Sequence, residues 1–226
     1  MSEQLITVGE ATEILGVTSD LPANKCLTKA EFDELTGRLQ PESAPNGVYI
    51  MHKDRFLVKK ERWAFPNEDA SGVAVKTDKC SVVIAKEEQS SIQWGGYGTL
   101  VDGCFTSGGN IMIGQDYAGK DNTDAIVNTL GKSVQYAALY CQNYTFIHGV
   151  KGHLPAYGEL YQSRQNKTEV DACMSLIGGK ALGDNDVKWC STQRSEGAAW
   201  SYGWSSGTTS GYDKNTSHTA RPFSSF

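Results

Sequence analysis

The chain has 226 residues, of which 39% are hydrophobic, 10% aromatic and 21% charged. That composition builds a packed core and excludes a disordered chain. The formal net charge is −5, with no long Lys/Arg block, which argues against nucleic acid or an anionic membrane surface as partner.

No apolar run is long enough to span a bilayer, so no membrane insertion is expected. The opening MSEQLITVGEATEIL lacks the basic region and apolar run of a signal peptide, and synthesis in a cytoplasm is expected. The cysteines are Cys26, Cys80, Cys104, Cys141, Cys173 and Cys190, and none forms a CxxC pair. Reduced thiols without a zinc site are the expectation.

Thr28, with Glu31 three residues on, reads as the capping box of a first helix. Its apolar residues are Leu27, Ala30, Phe32, Leu35 and Leu39. SAPNG at 43–47 reads as a turn, and 48–63 as a hairpin about Lys53-Asp54. PNEDASG at 66–72 reads as a polar linker, so a boundary is expected between a helix/hairpin module, 1–67, and a domain over 68–226. Two strands are expected at 73–75 and 81–85, turning at Asp78-Lys79. WGGYGTLVDG at 94–103 fits a twisted segment with close backbone approaches, and lacks the strand-then-helix context of a phosphate loop.

The best helical stretch is 122–144, capped by Asn122 or Thr123 and interrupted at Gly131. Val134, Ala137, Ala138 and Cys141 continue it at helical spacing. Pro155 favours a further helix start, with Leu160 and Tyr161 turned inward. TEVDACMSLI at 168–177 reads as a helix ended by Gly178-Gly179. Beyond Gly183 only short strands and polar loops are expected. The order is α+β, not alternating βα.

The chemistry-bearing residues are scattered. His52, His148, His153 and His218 lie outside any nucleophile motif and read as structural imidazoles. No cationic neighbour pattern points to a lowered pKa for Cys190, and it reads as a packed or adventitious thiol. Asp184-Asn185-Asp186 groups oxygen ligands, but without EF-hand spacing, and a solvated turn explains it equally well. No catalytic residue, cofactor or metal is expected. The C-terminal stretch differs in kind. Trp189, Trp200 and Trp204 bracket a run of Ser, Gly, Thr, Tyr, Asp and Asn, the residue types that make adaptable contact surfaces in antibody loops.

WCST at 189–192, Ala199-Trp200, Trp204, Gly207, Lys214 and Arg221-Pro222 together resemble the ending of C-type-lectin-fold variable proteins. These are encoded by diversity-generating retroelements, as in phages of gut Bacteroides. The segments 75–86, 94–103, 119–127 and 153–161 are similar to the same family in the same order, so the resemblance covers 68–226. It implies a C-type lectin-like domain whose variable region spans 187–220. Template adenines are replaced at random in that family, and Asn codons become Ser, Thr, Gly, Asp, Tyr, His or Ala.

By position, the resemblance implies a variable ligand-binding surface of Arg194, Ser195, Ser201, Gly203, Ser205, Ser206, Ser210, Gly211, Tyr212, Asp213, Asn215, Thr216, Ser217 and His218. Tyr212 and Asp213 are expected to be exposed. Trp189, Trp200, Trp204, Gly207, Lys214, Arg221 and Pro222 would be the scaffold. Cys190 departs from the family, which commonly has Ser there. The calcium-ligand motifs of sugar-binding lectins are not evident. The implied function is a virion-surface fibre protein that binds a bacterial cell-surface protein or glycan as a homotrimer, joined to other virion proteins through 1–67. The alternative is a decoration protein without a specific ligand. An enzyme is not expected: formylglycine-generating oxidases are fold relatives, but a lone Cys190 does not supply their chemistry.

Overall fold

A computed structural model describes residues 7–9, 11, 22–184 and 186–226. Helix α1 (Lys29–Thr36) begins at the capping box. The Thr28 N–H and hydroxyl each donate to Glu31 Oε2 at 3.0 Å, and the Glu31 N–H donates to Thr28 Oγ1 at 3.3 Å. Strands β1 (Arg38–Leu39), β2 (Gly47–His52) and β3 (Leu57–Val58) follow, with β2 and β3 forming the expected hairpin through Ile50↔Val58 and Met51↔Leu57.

Residues 66–72 are not a linker. Ala70, Ser71 and Gly72 open strand β4 (Ala70–Lys76), which pairs with β2 from Gly47↔Lys76 to His52↔Ala70. Strand β5 (Ser81–Ala85) pairs with β4, and the last strand, β11 (Phe223–Ser225), pairs with β5. The six-stranded sheet therefore runs β1-β3-β2-β4-β5-β11, straight across the expected boundary at 67/68. Gly72, which reads as part of a flexible linker, is required by packing. A Cβ on Gly72 would collide with the Ile84 carbonyl of β5.

The second sheet takes β6 (Gln89–Gln93), β7 (Val187–Gln193), β8 (Ala198–Gly203), β9 (Thr209–Asp213) and β10 (Ser217–Ala220) in the order β6-β10-β7-β8-β9. Its pairs are antiparallel except β10 with β7, which meet in parallel at Thr219↔Lys188. The architecture is α+β, mostly β, on two sheets.

Helices α2 (Asn110–Ile113), α3 (Gly119–Leu130), α4 (Ala137–Asn143), α5 (Tyr157–Gln165) and α6 (Lys167–Leu176) lie between the two groups of strands in sequence. Asn122 is not a cap. It sits inside α3, buried, where its carbonyl accepts the Phe105 N–H at 2.8 Å and its amide donates to Asp116 at 2.9 Å. Gly131, at φ 73°, ends α3, and Val134 is exposed before α4 begins. Leu160 turns inward from α5, whereas Tyr161 is 39% exposed. Gly178, at φ 67°, closes the end of α6.

The largest core cluster joins the first sheet to α5, α6 and β8 through Val48, Ile84, Leu160, Met174, Trp200 and Trp204. A second cluster joins the other sheet to α3 and α4 through Trp94, Ile126, Leu139 and Trp189. A third, including Tyr49, Met51 and Phe146, covers the opposite face of the first sheet. Burial on both faces explains why β4 and β5 read as continuous rather than alternating apolar runs.

Candidate ligand-binding face

The proposed posts are tied down by their polar tips as well as their rings. Trp189 donates its indole N–H to the Ile92 carbonyl at 3.0 Å, Trp200 to Ser107 at 2.8 Å, and Trp204 to Asp171 Oδ1 at 2.8 Å. Trp94, under the glycine-rich segment, donates to the Cys190 carbonyl at 2.8 Å. Each indole thus fills core and fixes one backbone segment to another. Lys214 is buried, with Nζ 4.4 Å from the Trp94 ring centre, donating to Thr99 O at 2.7 Å and Gln193 Oε1 at 2.6 Å. Burial brings its pKa down to about 8.

Arg221 is 1% exposed and donates to Glu88 Oε2 at 2.8 and 3.1 Å and to the carbonyls of Ala85, Lys86 and Lys180. Pro222 is buried beside it. Gly207, at φ 72°, leaves room for the Arg164 guanidinium, which donates to Trp204 O at 2.8 Å and Ser205 O at 3.0 Å. Trp189, Trp200, Trp204, Lys214, Arg221 and Pro222 are buried, and Gly207 is half-buried.

The residues between these posts divide into two patches. Arg194, Ser195 and Glu196 are exposed in the β7–β8 turn, and Asp213, Asn215 and Ser217 in the β9–β10 turn. The Lys214 N–H donates to Gly197 O at 2.9 Å, and the Gly98 N–H to Glu196 O at 3.1 Å. These bonds bring both turns to one end of the second sheet, beside exposed Tyr97. Ser205 and Ser206 are exposed at the other end of the β8–β9 hairpin. There the Asp186 carboxylate accepts the Ser205 N–H and, at 2.8 Å, the Ser206 hydroxyl. These bonds lower the Asp186 pKa against the opposing effect of burial. Ser210 and Gly211, on β9 between the patches, are half-buried, as is Thr216.

Several expected surface residues are not on the surface. Ser201 is 1% exposed within β8 and donates its hydroxyl to Ser210 O at 3.0 Å. Gly203 is buried, and a Cβ there would meet the side chains of Ser206, Thr208 and Asp186. Cys190 is fully buried, which places it in the scaffold and pushes its thiol pKa well up. Tyr212 is half-buried rather than exposed. Strand alternation points it to the face where His218 lies 4.3 Å away between ring centres, with Trp189 4.8 Å beyond His218. Burial lowers the His218 pKa.

All six cysteines carry free thiols. Among the described residues no group of three His, Cys, Asp or Glu side chains could hold a metal ion, and Asn185 of the acidic turn lies outside them. His52 stacks on Phe56, with ring centres 4.2 Å apart, and His153 Nε2 lies 3.1 Å from Glu159. His148 Nδ1 meets the Ser71 hydroxyl, and burial brings the ring's pKa down to about 4. Ser71 is 2% exposed, which closes this pair to substrate. Glu88, Arg164 and Asp186 were not singled out from the sequence for these roles. Their partners lie 133, 40 and 19 residues away, and no local spacing signals them.

No protein-family model matches the chain, and no curated protein matches it. No helix among the described residues is long and apolar enough to cross a membrane. Among solved structures the chain is similar to a fimbrial protein from Bacteroides ovatus, with TM-score 0.60 and 12% identity over 81% of this chain. The match spans 49% of that protein, about half its length, and at this identity the likeness is one of fold alone.

Proposed function

We propose that the chain is a binding module with a C-type lectin-like fold, carried on a phage virion surface as a fibre protein. It engages a bacterial cell-surface protein or glycan through the exposed turns at 194–196, 205–206 and 213–217. The observation that carries this reading is the division of the C-terminal sequence. Trp189, Trp200, Trp204, Lys214 and Arg221 are buried and bonded, while Arg194, Ser195, Ser205, Ser206, Asp213, Asn215 and Ser217 are exposed on the turns between them. Side-chain changes on such turns leave the core untouched, as a diversified surface requires. One site of small residues binds weakly, and a homotrimer attached to other virion proteins through the N-terminal segment multiplies avidity.

The test replaces Ser195, Asp213, Asn215 and Ser217 together by Ala and measures binding to a panel of gut Bacteroides strains. Adsorption is expected to fall at least tenfold on the strain bound best. Each substitution should change stability by no more than about 0.5 kcal/mol, as for surface positions generally. Unchanged adsorption to every strain would favour a decoration protein without a specific ligand.

A further inference from the structure

Four strands end the two sheets, and three of those edges are blunted. β1 has two residues and β11 three. β6 faces a register irregularity in β10 and carries Ser91 at φ 55°. β9 has none of these protections. It runs five residues, TSGYD, in unbroken register with β8, with no Pro and no Lys.

The ladder shows which way its backbone points. The Gly203 N–H donates to Thr208 O at 2.8 Å, one step before the pair Tyr202↔Thr209. Antiparallel pairs alternate, so Ser210 and Tyr212 turn their backbone groups toward β8. The Ser201 hydroxyl reaching Ser210 O agrees with that. Thr209, Gly211 and Asp213 then turn their N–H groups outward, along an edge that no described strand covers.

We propose that β9 accepts an extended peptide segment of a partner protein as a sixth strand of this sheet. The inference rests on reading the 194–217 region as a binding face, and it selects a protein ligand over a glycan. Outward N–H groups at Thr209, Gly211 and Asp213, with the carbonyls of Thr209 and Gly211, recur every two residues, about 6.8 Å. That spacing matches a peptide backbone and not a sugar chain. The Asp213 carbonyl already accepts the Thr216 N–H. Arg194 adds the side-chain preference. It is exposed, and its guanidinium lies 5.1 Å from the Trp200 ring centre. A Cβ on Gly211 would stand 2.5 Å from Arg194 Nη1, so the charge overlies the middle of the edge. It makes no ion pair within the described residues. An acidic side chain on the incoming strand supplies the missing partner. Pairing of β9 with a second copy about Gly211 would instead bring two Arg194 guanidiniums together on one face.

The test pans a displayed library of linear seven-residue peptides on the full chain, then synthesises the best binder with single backbone N-methyl groups. Enriched peptides are expected to share an Asp or Glu at one position. N-methylation at alternate residues should weaken binding about tenfold, the value of one lost hydrogen bond, and at the intervening residues hardly at all. Arg194→Glu should exchange the acidic preference for a basic one. Gly211→Pro removes an outward N–H without breaking a rung to β8, and its ring also displaces the Arg194 guanidinium, so it should abolish binding on both counts. The N-methyl series gives the same answer without altering the protein. Failure to enrich any peptide, or binders indifferent to N-methylation, would overturn the proposal. So would sedimentation showing that the chain pairs with itself in a manner abolished by Gly211→Pro. If cell adsorption still depends on the turn residues while the peptides fail, the binding face stands and only strand addition falls.

Discussion

Replacing Glu88 by Gln is expected to destabilise the chain by about 3–5 kcal/mol, the usual result of removing one partner from a buried ion pair. The Glu88 side chain is wholly buried and receives Lys188 Nζ at 2.8 Å and Arg221 Nη2 at 2.8 Å, both also buried. Lys180, 36% exposed, approaches its other oxygen at 3.4 Å. Burial lowers the pKa of Lys188 and Arg221, and the Glu88 charge opposes that shift in both, while the Arg221 and Lys180 charges push Lys188 further down. Gln offers one carbonyl and no charge, so two cations would stay in the interior facing each other. The loss should extend beyond this cluster. Arg221 also holds the carbonyls of Ala85, Lys86 and Lys180, and so anchors the last strand to the first sheet. Urea denaturation of Glu88→Gln beside Lys180→Ala measures the effect. The lysine variant should change stability by less than about 1 kcal/mol, because half-exposed pairs are screened by water. A Glu88→Gln loss as small as that would mean that water or a rearranged neighbour already satisfies the two cations.

Trp189→Ala should also cost about 3–5 kcal/mol, as buried Trp truncations do. At about 2–4 °C per kcal/mol for a chain of this size, the melting temperature should fall by roughly 10 °C. Trp189 is 0% exposed and holds Ile92 of β6 by its indole N–H. Its loss strands that carbonyl and removes the floor beneath His218 and Tyr212, whose rings it contacts at 4.8 and 6.5 Å between centres. Scaffold and face are therefore coupled at this residue, and Trp189→Ala should indirectly weaken the ligand binding proposed for that face. Asn215→Ala, on an exposed turn, should leave the melting temperature almost unchanged. A thermal scan showing similar small shifts for both variants would contradict the separation of posts from turns.

Much of the secondary structure was legible because its signals are short-range. Thr28 and Glu31 close a cap within one turn, and Gly131 and Gly178 end helices through their own backbone conformations. The hairpin and the β4–β5 pair follow from β-rich runs around polar turns. What stayed hidden depends on distant partners. Asn122 has the chemistry of a cap, yet it is spent on Phe105 and Asp116 inside α3. Ala70, Ser71 and Gly72 have a linker's composition, but they open β4, and a Cβ on Gly72 would collide with the Ile84 carbonyl of β5.

The candidate face was legible in composition and not in orientation. Arg194, Ser195, Ser205, Ser206, Asp213, Asn215 and Ser217 are exposed, whereas Ser201 and Gly203 are buried among residues of the same kinds. On strands, alternation and the covering elements decide burial, and a Ser or Gly satisfies either environment. Tyr212 illustrates the same limit, since an amphipathic ring reads equally well as contact surface or as packing.

The most direct test of a changeable surface on a fixed scaffold is the nucleotide sequence next to this gene. We predict a near-copy of the stretch encoding 187–226, beside a reverse transcriptase gene, with differences confined almost wholly to template adenines. Those differences should fall on the codons of exposed residues such as Ser195, Ser205, Ser206, Asp213, Asn215 and Ser217. They should spare Trp189, Trp200, Trp204, Lys214, Arg221 and Pro222, whose side chains are buried. No such copy, or differences spread over the buried posts, would contradict it.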